Sequence, residues 1–308
     1  MTTREDIQQA ADRIAPFLRV TPVIHLPRGG FGHTGPLALK FELMQCTGSF
    51  KPRGAFNKIL TSSIPDAGVI AASGGNHGAA VAYAARELGA RAEIFVPEIS
   101  SPVKVARLKE YGAHVTVVGK DYIAALAASN LRAQETGALV VHAYNQPEVI
   151  AGQGTTGMEF AQQAPELDTV LVACGGGGFV AGIAAWYRGN VKVVAVEPVS
   201  APSLAMAVVQ GRPVEVEVGG VAADSLGARS VGELAFRIAQ NFIEQVVLVE
   251  DEAIRAAQRA LWAEFRVVAE PGGAAALAAL HSGAYRPAPG ERVGVFVCGG
   301  NTDPATIC

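Results

Sequence analysis

Along this chain short apolar runs alternate with longer stretches whose apolar positions recur at helical spacing. The runs at 69–72, 92–96, 114–118, 139–142, 169–173, 191–196 and 292–297 are rich in Val, Ile, Leu and Ala. Apolar on both faces, they predict strands buried from both sides. Between them, 76–88, 102–111 and 122–135 predict helices, as do 179–187 and 251–264 further on. An earlier helix is expected over 7–18, ended by Thr21-Pro22, with a strand at 37–43. Buried strands separated by helices define an α/β protein with parallel sheets covered on both faces.

Candidate chemistry falls in the turns between these elements. Thr47 to Ala55 reads Thr-Gly-Ser-Phe-Lys-Pro-Arg-Gly-Ala. Ser49 is the expected N-cap of a helix there, with Phe50 and Lys51 at its mouth and Pro52 tolerated in its first turn. A lysine in an apolar, partly desolvated turn loses basicity and becomes a nucleophile toward carbonyls. Ser73-Gly74-Gly75-Asn76-His77-Gly78 joins a strand to a helix, where bare backbone N–H groups and the helix N-terminus favour an anion. Gly175-Gly176-Gly177-Gly178 has the same setting, and its four amides form a nest suited to a phosphate dianion. Val297-Cys298-Gly299-Gly300-Asn301 again follows a strand directly.

A dinucleotide site competes for the tetraglycine. Gly176-x-Gly178-x-x-Ala181 fits the Rossmann pattern, and Glu197 ends the next strand, where an acid would hold a ribose hydroxyl. That reading, a nicotinamide-dependent oxidoreductase, leaves Lys51, the Ser73 loop and the C-terminal glycines unused. The literal Gly152-x-Gly154-x-x-Gly157 match has no strand before it and is a weaker candidate.

Taken together, the lysine turn, the Ser73 loop, the tetraglycine and the Cys298 turn resemble the pyridoxal-phosphate enzymes of the threonine/serine dehydratase and serine racemase family. The resemblance implies the tryptophan synthase β-like fold (fold type II), with two parallel-sheet α/β domains. Residues 1–65 plus 147–308 would form the large cofactor-binding domain, and 66–146 a small inserted one. It implies a Schiff base on Lys51, with that amine later acting as base at the substrate Cα. Phe50 would pack on the cofactor ring, Asn76 would bond its 3′ oxygen, Gly175 to Gly178 would hold its phosphate, and Cys298 would meet the ring nitrogen. Ser73, Gly74, Gly75, Asn76 and His77 would grip the substrate carboxylate. The Gly-x-Gly-Thr run near 152 shapes the start of a helix in the family. Glu270-Pro271-Gly272-Gly273-Ala274 resembles an element near the cofactor, although a plain helix cap reads equally well.

Two departures matter. Some relatives bind a cation through a glutamate, a carbonyl four residues on and an aspartate six residues on. Here those positions are Glu197, Ala201 and Ser203, so a carboxylate is missing. Hard divalent ions prefer carboxylate oxygens, which leaves a monovalent site or none. Position 225, glycine in the family pattern, is Ser225. The activity implied is removal of water and ammonia from L-threonine and/or L-serine to give 2-oxo acids. Serine racemase and 3-hydroxyaspartate ammonia-lyase are alternatives on the same fold. In the racemases a serine stands where this chain has Gly74, which has no proton to give the far face of Cα.

Composition adds bounds. With 308 residues, 50% of them apolar and 17% charged, and a mean hydropathy of +0.26, a large core is expected. A net charge of −3 spread over both signs gives no reason to expect nucleic acid or an anionic membrane as partner. Cys46, Cys174, Cys298 and Cys308 lack metal-ligand spacing and read as thiols of a reducing compartment. No signal-peptide pattern opens the chain and no apolar run approaches the roughly 18 residues of a span. A cytoplasmic homodimer acting on a small amino acid is the expectation.

Overall fold

The computed structural model describes residues 1–307 and is built from two sheets; Cys308 lies outside the described residues. In chain order the elements are α1 (Arg4–Ile14), β1 (Val23–Leu26), β2 (Leu37–Lys40), α2 (Lys51–Leu60), β3 (Val69–Ala72), α3 (Asn76–Glu87), β4 (Ala92–Val96) and α4 (Pro102–Glu110). There follow β5 (His114–Val117), α5 (Tyr122–Thr136), β6 (Leu139–Val140), α6 (Pro147–Gln163), β7 (Thr169–Ala173), α7 (Gly178–Tyr187) and β8 (Lys192–Pro198). Then come α8 (Ser203–Gln210), α9 (Ala223–Leu226), α10 (Glu233–Phe242), β9 (Gln245–Val249), α11 (Asp251–Phe265), α12 (Pro271–His281) and β10 (Val293–Phe296).

The larger sheet runs β1-β2-β10-β7-β8-β9 and is parallel except for the edge strand β1. The smaller runs β5-β4-β3-β6, all parallel. Strands β2, β3, β7 and β10 are buried along their whole length, as their apolar sequences require. One core cluster surrounds the larger sheet, while two smaller ones cover the faces of the other.

This topology gathers the chemistry. In a parallel sheet every connection leaves from the C-terminal end of a strand, so ligand sites collect on that edge. Central β10 lies between β2 and β7. The lysine turn after β2, the cysteine turn after β10 and the tetraglycine after β7 are therefore neighbours, and the Ser73 loop arrives from β3.

Three expectations need correction. The Gly152–Gly157 run lies inside α6 rather than at its start. Its glycines serve close packing of helices: a Cβ at Gly152 would sit 2.4 Å from Arg53 O, and one at Gly154 would sit 2.8 Å from Gly182 O. Strands β1 and β9 fall in stretches where no strand was expected; both are half-exposed edge strands, β1 (Val-Ile-His-Leu) interrupted by His25, while β9 (Gln-Val-Val-Leu-Val) carries an apolar run like those of the central strands and was passed over. Finally, α2 is capped by Phe50 and not by Ser49, whose Oγ only reaches Lys51 N at 3.5 Å.

Candidate active site

Lys51 is the first residue of α2, held by contacts between the turn before it and the turn after β10. Phe50 N donates to Cys298 O at 3.1 Å, and Gly300 N donates to Gly48 O at 2.9 Å. A lone antiparallel bridge joins Ser49 and Gly299. The half-buried Lys51 Nζ donates to Ala143 O at 3.0 Å, and no carboxylate forms a salt bridge with it among the described residues. Burial therefore lowers its pKa from 10.5 to about 8, partly offset by Cys298 and Glu270. In the cofactor-free protein, the rate at which Lys51 captures an aldehyde should accordingly rise through about pH 8 and then level off. Stopped-flow absorbance across pH checks this; a rate still climbing toward pH 10.5 would contradict the assigned environment.

One cleft is lined by Phe50, Lys51, Asn76, Gly175 to Gly178, Ser225, Glu270 and Cys298. The tetraglycine closes one end at the N-terminus of α7, with Gly177 at φ +86° as its cap. A side chain there would be intolerable: a Cβ on Gly176 would lie 2.3 Å from the Tyr144 ring. Backbone amides without side chains, at a helix N-terminus and beside a lysine, fit a phosphate-bearing aldehyde. Phe50 stacks on Phe179 with ring centroids 3.9 Å apart. Cys298, buried to 3% exposure, has its thiol held neutral by burial and donates to Gly272 O at 3.5 Å.

The Ser73 loop caps α3 with Gly75, leaving the first amides of that helix without intrahelical partners. Ser73 Oγ accepts from Gly75 N at 3.2 Å. Asn76 Nδ2 donates to Glu270 Oε1 at 2.6 Å, while its Oδ1 accepts from Asn301 Nδ2 at 2.6 Å. His77 is buried, with Nε2 at 2.8 Å from Val141 O. Burial and the nearby Lys51 push its pKa down to about 3, so a charged His77 imidazole is not available to a carboxylate. What His77 can offer an anion is its backbone N–H.

Glu197 overturns the ribose reading. Its carboxyl is wholly buried and accepts from Leu204 N and Ala205 N, each at 2.8 Å. It caps α8 instead of facing a ligand.

Several residues at the cleft were not singled out as site residues from the sequence. Tyr144 packs over the tetraglycine and Ala143 offers Lys51 its carbonyl. Ser225 Oγ accepts from Gly272 N at 3.0 Å, tying α9 to α12. Glu270 is pushed up to about 7 by burial, with Asn76 acting in the opposite sense. The Glu-Pro-x-Gly-Ala pattern was the one available signal for Glu270. Ser225, in the short helix α9, was noted only as a departure from the family's glycine, and Tyr144 sits in an irregular segment without any signal.

Residues 14–299 match the family described as pyridoxal-phosphate dependent enzyme, and the chain belongs to that family; pyridoxal phosphate is its cofactor. It is 39% identical over 307 residues to an L-threonine ammonia-lyase of Geobacter sulfurreducens, covering 98% of this chain and 76% of that protein. It is 35% identical to a phenylserine dehydratase of Ralstonia pickettii, covering 99% of this chain and 96% of the relative. Among solved structures, maize serine racemase superposes with a TM-score of 0.92 at 32% identity, covering 99% and 95% of the two chains. A threonine deaminase of T.th. gives 0.91 at 35% identity, covering 98% and 99%. The fold is thus the fold type II expected. No helix among the described residues is long and apolar enough to cross a membrane.

Proposed function

We propose that the protein is an ammonia-lyase that removes water and ammonia from L-threonine and/or L-serine to give 2-oxo acids. The observation that carries this reading is the pairing, in one cleft, of a weakly basic Lys51 with a neutral thiol at Cys298. The named dehydratases and ammonia-lyases among its relatives point the same way.

When bound, pyridoxal phosphate supplies an electron sink for the negative charge left at a deprotonated Cα. The rest falls to the chain. Gly175 to Gly178 hold the phosphate with backbone amides. Lys51 Nζ would hold the cofactor's aldehyde carbon, and its free amine would take the Cα proton; a pKa of about 8 suits that task near neutrality. The Ser73 to His77 amides would orient the substrate carboxylate, Asn76, held by Glu270 and Asn301, would bond the 3′ oxygen, and Phe50 would pack on the ring. Cys298 would be a weak partner for the ring nitrogen and would not hold it protonated as a carboxylate would, which would favour prompt departure of the β-hydroxyl. Residues 66–146 form the small domain in this reading, and assembly as a cytoplasmic homodimer belongs to it by resemblance. Assaying 2-oxo acid release from L-serine and L-threonine tests the activity, and no release from either would reject it.

Elimination should outrun racemisation, because Gly74 offers no acid to the face of Cα opposite Lys51. The fit is tight: a Cβ on Gly74 would lie 3.0 Å from Ser100 Oγ and 3.6 Å from Val96 Cγ1, so a side chain enters only if the Ser100 hydroxyl gives way by a few tenths of an ångström. With that shift, Gly74→Ser is expected to raise D-serine formation from L-serine by on the order of 10-fold or more. Chiral chromatography beside a pyruvate assay measures both products. Wild-type protein making D-serine as fast as pyruvate would show the role given to Gly74 to be wrong.

A further inference from the structure

Four consecutive glycines make a poor anion cradle unless something fixes their direction, because glycine explores more backbone conformations than any other residue. A buried clamp lies behind them. Ser203 Oγ donates its one proton to Gly175 O at 2.9 Å and lies 3.1 Å from Glu197 Oε1, whose carboxyl, pushed up to about 7 by burial, can donate back to the hydroxyl. Glu197 is itself fixed by the first free amides of α8, and both it and Ser203 are fully buried. On the next residue, Gly176 O accepts from Gly232 N at 3.1 Å.

The peptide plane turns this anchorage into aim. In a trans peptide the C=O and the following N–H point in opposite directions, and no peptide bond among the described residues is cis. Pinning Gly175 O on Ser203 therefore directs Gly176 N–H the other way, toward the cleft.

The same residues do not fit a divalent cation. The one carboxylate has both oxygens engaged by amides of α8, and the remaining oxygens, of Ser203 and Ala201, are neutral. No group of three His, Cys, Asp or Glu side chains among the described residues could hold a metal ion.

We infer that Ser203 is a positioning residue whose hydroxyl, seated on Glu197, aims the tetraglycine amides at the cofactor phosphate without a cation. This inference rests on the tetraglycine being the phosphate site, and the test separates the two. In wild-type holoenzyme, phosphorus NMR should show one phosphate resonance that does not shift with pH. A phosphate that titrates as it does in free solution would instead reject the tetraglycine site itself. With that resonance fixed, Ser203→Ala should shift it and speed cofactor release into an excess of aldehyde scavenger by about tenfold, the loss expected for one hydrogen bond. Ser203→Thr keeps the hydroxyl and should restore both. Wild-type release should be the same in EDTA as in millimolar magnesium or calcium. Release that quickens in EDTA, or a Ser203→Ala holoenzyme unchanged in resonance and release, overturns the inference. Should Ser203→Ala not fold, Ser203→Cys, close in shape but a weak donor, takes its place under the same readouts.

Discussion

Lys51→Ala is expected to cut 2-oxo acid formation by at least about 10³-fold while leaving a folded protein. Two roles fall together in this variant, the covalent hold on the cofactor and the base at Cα, so no second residue can compensate in part. Stability should barely change. Lys51 Nζ makes one hydrogen bond, to Ala143 O, and losing such a bond costs about 1 kcal/mol. Lys51→Arg makes the sharper control. It preserves positive charge in the cleft, yet a guanidinium stays protonated and forms no link to an aldehyde. Both variants should resist borohydride trapping, whereas wild type should give a modified peptide containing Lys51. Trapping on any other lysine, or activity in either variant within about tenfold of wild type, would move the chemistry elsewhere.

What could be read from the residues follows from how the fold makes its sites. Central strands such as β7 and β10 are apolar on both faces, and glycines are costly unless a backbone must approach something, so the tetraglycine and the Cys298 turn stood out. Edge strand β1 is short and interrupted by His25, whereas the Val-Val-Leu-Val run of β9 was as legible as a central strand and differs from one only in its exposure. The Gly152 run was rightly discounted as a nucleotide loop but misplaced at a helix start. Its spacing imitates a nucleotide loop, but the cause is contact between α6, α2 and α7, which also demands small residues. Tyr144 covers the glycines from an irregular segment, and its place follows from tertiary packing that no local pattern encodes. Ser203 was legible only as a missing carboxylate. Its hydroxyl's hold on Gly175 depends on a turn beyond β8 that brings it back beneath the glycine loop.

Arg53→Met should be the most destabilising single change near the site, costing about 3–5 kcal/mol. Arg53 stands two residues beyond Lys51 on α2 and is 3% exposed. Its guanidinium forks onto Glu42, with Nε at 2.8 Å from Oε2 and Nη2 at 2.7 Å from Oε1. Nη2 also reaches Glu159 Oε2 at 2.9 Å, and Lys40 pairs with Glu159 from the other side. Removing the arginine leaves the fully buried Glu42 carboxylate to Thr21 Oγ1, its remaining hydrogen-bond donor among the described residues. Arg53→Lys should recover only part of the loss, since an ammonium cannot form the planar fork. The melting temperature should fall by on the order of 10 °C in the methionine variant. pH separates charge from packing. Burial alone would raise the Glu159 pKa, but the charges of Arg53 and Lys40 outweigh it and hold it below 4.5. A depressed carboxylate contributes stability that is present above its ordinary pKa and is lost as pH falls through the folded value. Wild type should therefore lose its advantage over Arg53→Met below about pH 4.5, which urea titrations at several pH values measure. Equal differences at pH 7 and pH 3 would mean that Arg53 acts through its packed stem alone. Because α2 carries Lys51 on its first turn, Arg53→Met should also weaken cofactor retention at temperatures well below melting, tying the buried charge cluster to the position of the reactive amine.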